Sequence, residues 1–150
     1  MITRSEILMG RDIQYPLSKY QEANLSDLLI KGNKIRTKYG KPMTVSSGYR
    51  PAAINSTVPG AAKNSTHTLC MAFDIKDVDG NIRKWVLENL QFLQEIGIWV
   101  EDFRWTPGWV HFQTRPASKR IFLAYDPSKT PMTAPKIWDG KYDSKFDKAA

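Results

Sequence analysis

Apolar positions recur at helical spacing between residues 22 and 39. They are Leu25, Leu28, Leu29, Gly32, Ile35 and Tyr39. Residues three and four apart lie on one side of a helix, so the spacing predicts an amphipathic helix with one buried face. Gly40 and Pro42 follow, and both residue types end helices. Near the start of the chain, Thr3 and Glu6 have the spacing of a capping box, which predicts a short helix.

A second helix and two strands are predicted in the middle of the chain. Segment 43–47 reads as a short strand, and segment 72–76 alternates so that Phe73 and Ile75 lie on one face and Asp74 on the other. After a turn at 77–80, helical spacing resumes and ends at Gly97. The apolar positions of this single predicted helix are Ile82, Trp85, Val86, Leu90, Leu93 and Ile96.

Segments 98–102 and 109–113 flank the turn signal Thr106-Pro107-Gly108, which predicts a β-hairpin. A register centred on Thr106 gives the cross-strand pairs Trp99 with Gln113, Glu101 with His111, and Phe103 with Trp109. It also collects apolar side chains on the opposite face, because strand residues alternate between faces. These side chains are Ile98, Val100, Val110 and Phe112.

Composition bounds the class of protein. At 150 residues the chain fits one compact domain, and its longest apolar runs are far below the roughly 20 residues that span a bilayer. We therefore expect a soluble protein without membrane contact. A net charge of +7 favours an anionic partner such as nucleic acid, anionic lipid or bacterial cell wall. No Lys/Arg block or nucleic-acid motif occurs, which disfavours a nucleic-acid reader.

The beginning and the end of the sequence carry further expectations. The first residues lack the apolar segment of a secretory signal, so we expect delivery by another route. After Tyr125 the chain is rich in Pro and Lys, which predicts a domain at 1–125 and an extended C-terminal arm at 126–150. The arm is either a disordered tail or a docking segment for a partner. The single cysteine, Cys70, excludes an internal disulfide and is expected to be a small buried side chain.

The two histidines of the chain, His67 and His111, are the candidate metal ligands. A lone histidine is more often an ordinary core or surface residue, but here both histidines lie in segments that also offer other ligands. Catalytic zinc takes three ligands from His, Asp, Glu or Cys and leaves a fourth position open. His67, Asp74 and His111 can supply that set for one Zn²⁺ ion.

Glu101 is the first candidate for a general base, because the hairpin register places its carboxylate beside His111. Asp102 is the alternative base, and an exposed Glu101 paired with Arg104 or a lysine is the structural alternative. Arg50 follows a Gly-Tyr turn, where its guanidinium could bind a substrate carboxylate or be solvated at the surface. Ser47 and Tyr49 could line the same substrate groove, although aromatic residues on a sheet are more often core.

Several motifs together resemble a known family. They are Ser-Gly-Tyr-Arg-Pro at 47–51, Ser-x-His-x6-Asp at 65–74, Glu101, and Thr-Pro-Gly-Trp-Val-His at 106–111. In order and spacing they resemble the zinc D-alanyl-D-alanine carboxypeptidases and L-alanyl-D-glutamate endopeptidases, especially short phage-encoded members. The resemblance implies an α+β fold in which a small antiparallel sheet packs with two main helices and carries the mononuclear zinc site. It also implies that Arg50 reads a substrate carboxylate.

The chain departs from that family at two places. Family members commonly have Gly at the position of Cys70. Many also carry a catalytic acid within three residues of the last histidine, where this chain has none around His111. The base must then be Glu101, reaching across the hairpin.

The leading hypothesis is a zinc peptidase that cleaves peptide bonds in bacterial peptidoglycan. The resemblance implies a phage-encoded protein, present in the host cytoplasm or the virion and acting at the host cell wall. The competing hypothesis is a virion structural or adaptor protein that keeps the peptidase fold and docks on phage structural proteins through 126–150. A metal-free wall-binding module is a third reading, and it leaves the placement of His67, Asp74 and His111 unexplained.

Overall fold

The computed structural model describes residues 1–61 and 65–116 and the backbone of 122–124. Helices α1 (Arg4–Leu8) and α2 (Lys19–Tyr39) each begin with a capping box. In α1 the Thr3 hydroxyl accepts from the Glu6 amide, and the Glu6 carboxylate accepts from the Thr3 amide, as predicted. The helix predicted at 22–39 is confirmed, and it ends at Gly40, whose φ of 76° is the left-handed conformation that glycine adopts without strain.

A five-stranded sheet forms the other layer, and every neighbouring pair is antiparallel. Its strands are β1 (Val45–Ser47), β2 (Ala72–Lys76), β3 (Trp99–Glu101), β4 (Trp109–Gln113) and β5 (Phe122–Ala124). The spatial order is β1-β2-β4-β3-β5, so the two longest strands, β2 and β4, are neighbours inside the sheet. The predicted α+β class with a small antiparallel sheet is confirmed.

The hairpin of β3 and β4 has the predicted register, since Trp99 pairs with Gln113 and Val100 with Phe112. The predicted pairing of Phe103 with Trp109 is wrong. Residues Phe103–Trp105 form a 3-10 helix instead, because the buried Asp102 carboxylate accepts from the Arg104 amide and turns the chain out of the strand. Side-chain bonds of this kind compete with strand pairing.

The helix predicted from Ile82 to Ile96 is divided into α4 (Asn81–Glu88) and α5 (Leu90–Glu95). The break lies at Asn89, whose φ of −132° is not helical and whose side chain donates to the Trp85 carbonyl at 2.8 Å. Asparagine favours such local hydrogen bonds over helix continuation. Two short elements complete the described part: α3 (Ala52–Asn55) and a 3-10 helix at Thr66–Leu69.

The core lies between the helices and one face of the sheet. Phe73 of β2 and Phe112 of β4 are fully buried there, with ring centroids 5.3 Å apart. Helix α2 approaches closely at Gly32, where an added Cβ would lie 3.4 Å from the Phe73 ring. Because strand side chains alternate, Asp74 and His111 point to the other face. The core thus fixes the sheet that carries the candidate ligands.

None of the helices in the described part of the chain could span a bilayer. The arm predicted at 126–150 lies outside the described residues.

Candidate metal centre

The His67 ring is fixed by its own turn and by a backbone carbonyl. The 3-10 helix at 66–69 begins at Ser65, whose hydroxyl accepts from the His67 amide at 3.2 Å. The residue is 2% exposed, and its Nδ1 lies 2.8 Å from the Gly48 carbonyl oxygen. A carbonyl only accepts, so Nδ1 carries the hydrogen and Nε2 keeps its lone pair. That Nε2 lies 3.3 Å from Asp74 Oδ2.

Asp74 and His111 face each other across the pair β2 and β4, where their Cα atoms are directly opposed. Asp74 Oδ1 lies 2.9 Å from His111 Nδ1, so one carboxylate contacts both imidazole rings. The two ring centroids are 5.1 Å apart. One possible ligand atom from each of the three residues lies within 4.8 Å of the others, and all three side chains are buried. The three residues are therefore positioned to hold a metal ion.

Electrostatics favour a cation at this position. Burial raises the pKa of Asp74, but hydrogen bonds and charge from His111 and His67 outweigh it and hold that pKa well below its usual range. Burial lowers the pKa of His67. Burial also lowers the pKa of His111, but the hydrogen bond and charge of Asp74 reverse the effect and raise it. The site therefore offers an ionised carboxylate between two imidazoles. Its two nitrogen ligands and one oxygen ligand form a donor set that zinc accepts.

Glu101 lies close to this cluster. The residue is 8% exposed and lies on β3, the strand beside β4. Its negative charge contributes to the raised pKa of His111. The alternative expected Glu101 to be exposed, and the residue is buried instead. Its pairing with Arg104 or a lysine stays a prediction. The alternative base, Asp102, is fully buried and contacts the Arg104 amide, Nε and Nη2 at 2.9 to 3.1 Å. This ion pair gives Asp102 a structural role at the end of β3.

Arg50 borders the cluster and is partly buried. Its amide donates to the His67 carbonyl at 3.1 Å, and its Nη2 donates to the Ser65 hydroxyl at 3.2 Å. Its Nε is buried and has no hydrogen-bond partner among the described residues. Burial lowers the pKa of Arg50, and the charge of Asp74 opposes that shift. The guanidinium therefore keeps one unsatisfied donor on its buried side.

The other two predicted substrate-binding residues are placed differently. Ser47 lies on β1 opposite Asp74, partly exposed beside the candidate ligands. Tyr49 is 3% exposed in the core, and its hydroxyl donates to the Tyr15 carbonyl at 3.1 Å. The structure therefore brings Ser47 to the site but uses the Tyr49 side chain for packing. Direct contact between Tyr49 and a substrate stays a prediction.

Sequence reasoning missed two residues that support the ligands. Gln113 Oε1 lies 2.7 Å from His111 Nε2, and its position two residues after His111 on one strand was the available signal. Gly48 holds His67 through its carbonyl while its Cα abuts α1. A Cβ at Gly48 would lie 2.8 Å from the Ile7 Cα, closer than real atoms approach. No sequence pattern indicated that contact.

A comparison with protein families gives one finding: the family model described as Peptidase M15 matches residues 4–112. The match covers His67, Asp74 and His111 as well as Glu101 and Arg50. No curated protein and no solved structure gives a significant match.

Proposed function

We propose that this chain, which belongs to the Peptidase M15 family, is a zinc metallopeptidase acting on peptide bonds of bacterial peptidoglycan. The observation that carries the proposal is the buried convergence of His67, Asp74 and His111, which are positioned to hold a metal ion. A catalytic zinc site of this kind has three protein ligands and an open fourth position.

The three side chains have separate tasks at the metal. His67 would bind through Nε2, because its Nδ1 hydrogen is given to Gly48. Asp74 would bind through a carboxylate oxygen and neutralise part of the ion's charge. A bound zinc ion supplies Lewis acidity, which activates water and polarises a scissile carbonyl. The burial of all three ligands supports a fixed, preorganised centre.

Glu101 is proposed as the general base. Its carboxylate would take a proton from the water that attacks the peptide carbonyl, and return that proton to the amine that leaves when the C–N bond breaks. The influence of its charge on His111 supports this position. The use of Asp102 by Arg104 supports Glu101 over its neighbour.

Arg50 is proposed to bind a free carboxylate of the substrate. Two guanidinium nitrogens can bind a carboxylate in a bidentate manner. The influence of the Asp74 charge on Arg50 supports a position beside the candidate ligands. Ser47, beside Asp74, is proposed to line the same groove. Tyr49 is proposed to support it from the core, since its backbone joins α1 to the turn that carries Arg50.

The experiment is mass spectrometry of purified peptidoglycan after incubation with the zinc-loaded protein, with a chelated sample as the control. We expect new fragments that disappear on chelation and that identify the scissile bond. Glu101→Gln should keep zinc and lose hydrolysis, because the amide cannot take the proton. The matched control is Glu95→Gln on the exposed surface of α5, which should cleave like the wild type. Full activity of Glu101→Gln would refute the role of Glu101, and no fragments from zinc-loaded wild-type protein would refute the peptidase assignment.

A further inference from the structure

We propose that Gln113 is a positioning residue that determines which ring nitrogen of His111 faces the metal. The inference rests on the proposed metal centre, although it requires no hydrolysis. Gln113 is 5% exposed and lies on β4, two residues after His111 and therefore on the same face of the strand.

The orientation of the Gln113 amide is fixed from both ends. Its Nε2 donates to the Arg115 carbonyl at 2.6 Å, so its Oε1 is left to face the interior. There Oε1 accepts from the Thr66 hydroxyl at 3.3 Å and lies 2.7 Å from His111 Nε2. A flipped amide would bring its NH2 group against the Thr66 hydroxyl and its oxygen against the Arg115 carbonyl, losing the Arg115 bond.

This orientation selects one form of the His111 ring. An amide oxygen only accepts, so His111 Nε2 must carry a hydrogen to bond it. The remaining nitrogen, Nδ1, then faces Asp74 Oδ1 at 2.9 Å and is the ligand atom. His67 has the reverse arrangement, with its Nδ1 hydrogen on Gly48. The two histidines would therefore bind one metal through different ring nitrogens, each held by a different acceptor.

The surroundings of Gln113 let it hold the His111 ring in this orientation. Its residue pairs with Ala72 on one side and Trp99 on the other, so two strands restrain its backbone. His111 is buried, so water has little access to replace the hydrogen-bond acceptor of Nε2 if that acceptor is removed. Substitution of the outer partner of a metal-bound histidine typically weakens metal binding about 10- to 100-fold.

The first test compares zinc affinities of purified variants by competition with a chromophoric chelator. We expect Gln113→Leu, which removes the acceptor at similar size, to bind zinc about 10- to 100-fold more weakly than the wild type. Gln113→Glu keeps an acceptor for His111 and should bind more tightly than Gln113→Leu. Gln91→Leu, at an exposed position on α5, is the matched control and should bind like the wild type. Equal affinities of Gln113→Leu and wild type would overturn the inference.

The second test uses the wild-type protein and does not depend on the folding of a Gln113 variant. Because the chain has two histidines, ¹⁵N NMR of the zinc-loaded protein can identify the metal-bound nitrogen of each ring. We expect one ring bound through Nε2 and the other through Nδ1. Binding of both rings through the same nitrogen would overturn the inference.

The outcomes separate this inference from the proposed function. Wild-type protein that binds no zinc would overturn both. Protein that binds zinc with the two expected nitrogens, yet cleaves no peptidoglycan, would overturn the peptidase assignment and support the role of Gln113.

Discussion

Cys70 occupies a backbone conformation that explains a departure noted in the sequence. Its φ is 58°, in the left-handed region, and its amide closes the 3-10 helix by donating to the Thr66 carbonyl. Glycine adopts this region without steric cost, which fits the glycine that the resemblance implies at this position. The expectation that Cys70 is a small buried side chain is confirmed, since the residue is fully buried.

We predict that Cys70 does not react with thiol reagents in the folded protein. Burial raises the pKa of its thiol to about 12, so almost no reactive thiolate exists at about pH 8. Labelling with a maleimide, followed by mass spectrometry, should give no adduct under native conditions. The same reagent in denaturant is the control and should modify the single cysteine completely. Rapid native labelling would contradict the prediction.

We predict that Gly48→Ala weakens both folding and metal binding. The new methyl group would overlap backbone atoms of Ile7, and such overpacking costs about 1–3 kcal/mol of the free energy of unfolding. The displaced Gly48 carbonyl would no longer hold His67, so zinc affinity should also fall. Chemical denaturation and zinc titration measure the two effects.

Gly10→Ala is the matched control for Gly48→Ala. Gly10 has a φ of 75° with no atom near its missing Cβ, so the change costs only the left-handed strain of about 1–2 kcal/mol. Its zinc affinity should stay at the wild-type value. An equal loss of zinc affinity in the two variants would contradict the proposed path from Gly48 to His67.

At the scale of elements, the sequence predicted structures that depend on local periodicity. Helix α2 follows from apolar positions three and four residues apart, and strand β2 follows from alternation. The register of the β3–β4 hairpin follows from the turn at Thr106. The break between α4 and α5 could not be predicted in this way, because the apolar positions continue through Asn89 with helical spacing. The side-chain bond from Asn89 to Trp85 decides the break, and hydrophobic spacing carries no information about it.

The candidate site likewise contains residues that the sequence predicted and one, Gln113, that it did not. His67, Asp74 and His111 could be predicted because ligand chemistry restricts the residue types at known spacings. Glu101 was selected from the register of the predicted hairpin, and its role stays a prediction. The orientation of Gln113 depends on distances to Thr66 and Arg115, which come from strand packing and a loop. A glutamine is common on protein surfaces, so its residue type alone predicts nothing.

We predict that Asp77→Ala destabilises the start of α4 by about 2 kcal/mol. The buried Asp77 carboxylate accepts from the amides of Ile82 and Arg83 and pairs with the Arg83 side chain. Asp79→Ala is the matched control, because Asp79 accepts from the Asn81 amide at the same helix end but is exposed. Urea denaturation should give a clearly smaller loss for Asp79→Ala, and equal losses would contradict the importance of burial.

At the scale of the whole molecule, we predict that zinc stabilises the fold. The candidate ligands come from the 66–69 helix, β2 and β4, so an ion joins three elements that separate on unfolding. Zinc at about 100 times its dissociation constant should add about 2.7 kcal/mol to the free energy of unfolding. Denaturation with zinc and with chelator measures the gain. His111→Ala is the control, and the same gain in that variant would contradict the ligand set.

We further predict that deletion of residues 126–150 leaves peptidoglycan cleavage intact. The family match covers 4–112, and the last described strand ends at Ala124, so the ligands and Glu101 lie before the deletion. The same fragment analysis used for the full chain measures the result. Loss of cleavage by a folded, zinc-loaded truncated protein would contradict the prediction. If the arm docks on phage structural proteins, the truncated protein should still cleave peptidoglycan but should fail to bind those proteins.

The contact between Gly48 and α1 also limits the substitutions that this chain can accept. The crowding atoms at Ile7 are its backbone oxygen and carbon atoms, so no side-chain replacement at position 7 makes room for a larger residue at position 48. Compensating pairs of substitutions therefore cannot arise between these positions. Among homologues that keep this contact, the dependence of His67 on the first helix would appear as an invariant glycine. Methods that infer contacts from correlated substitutions would therefore not detect it.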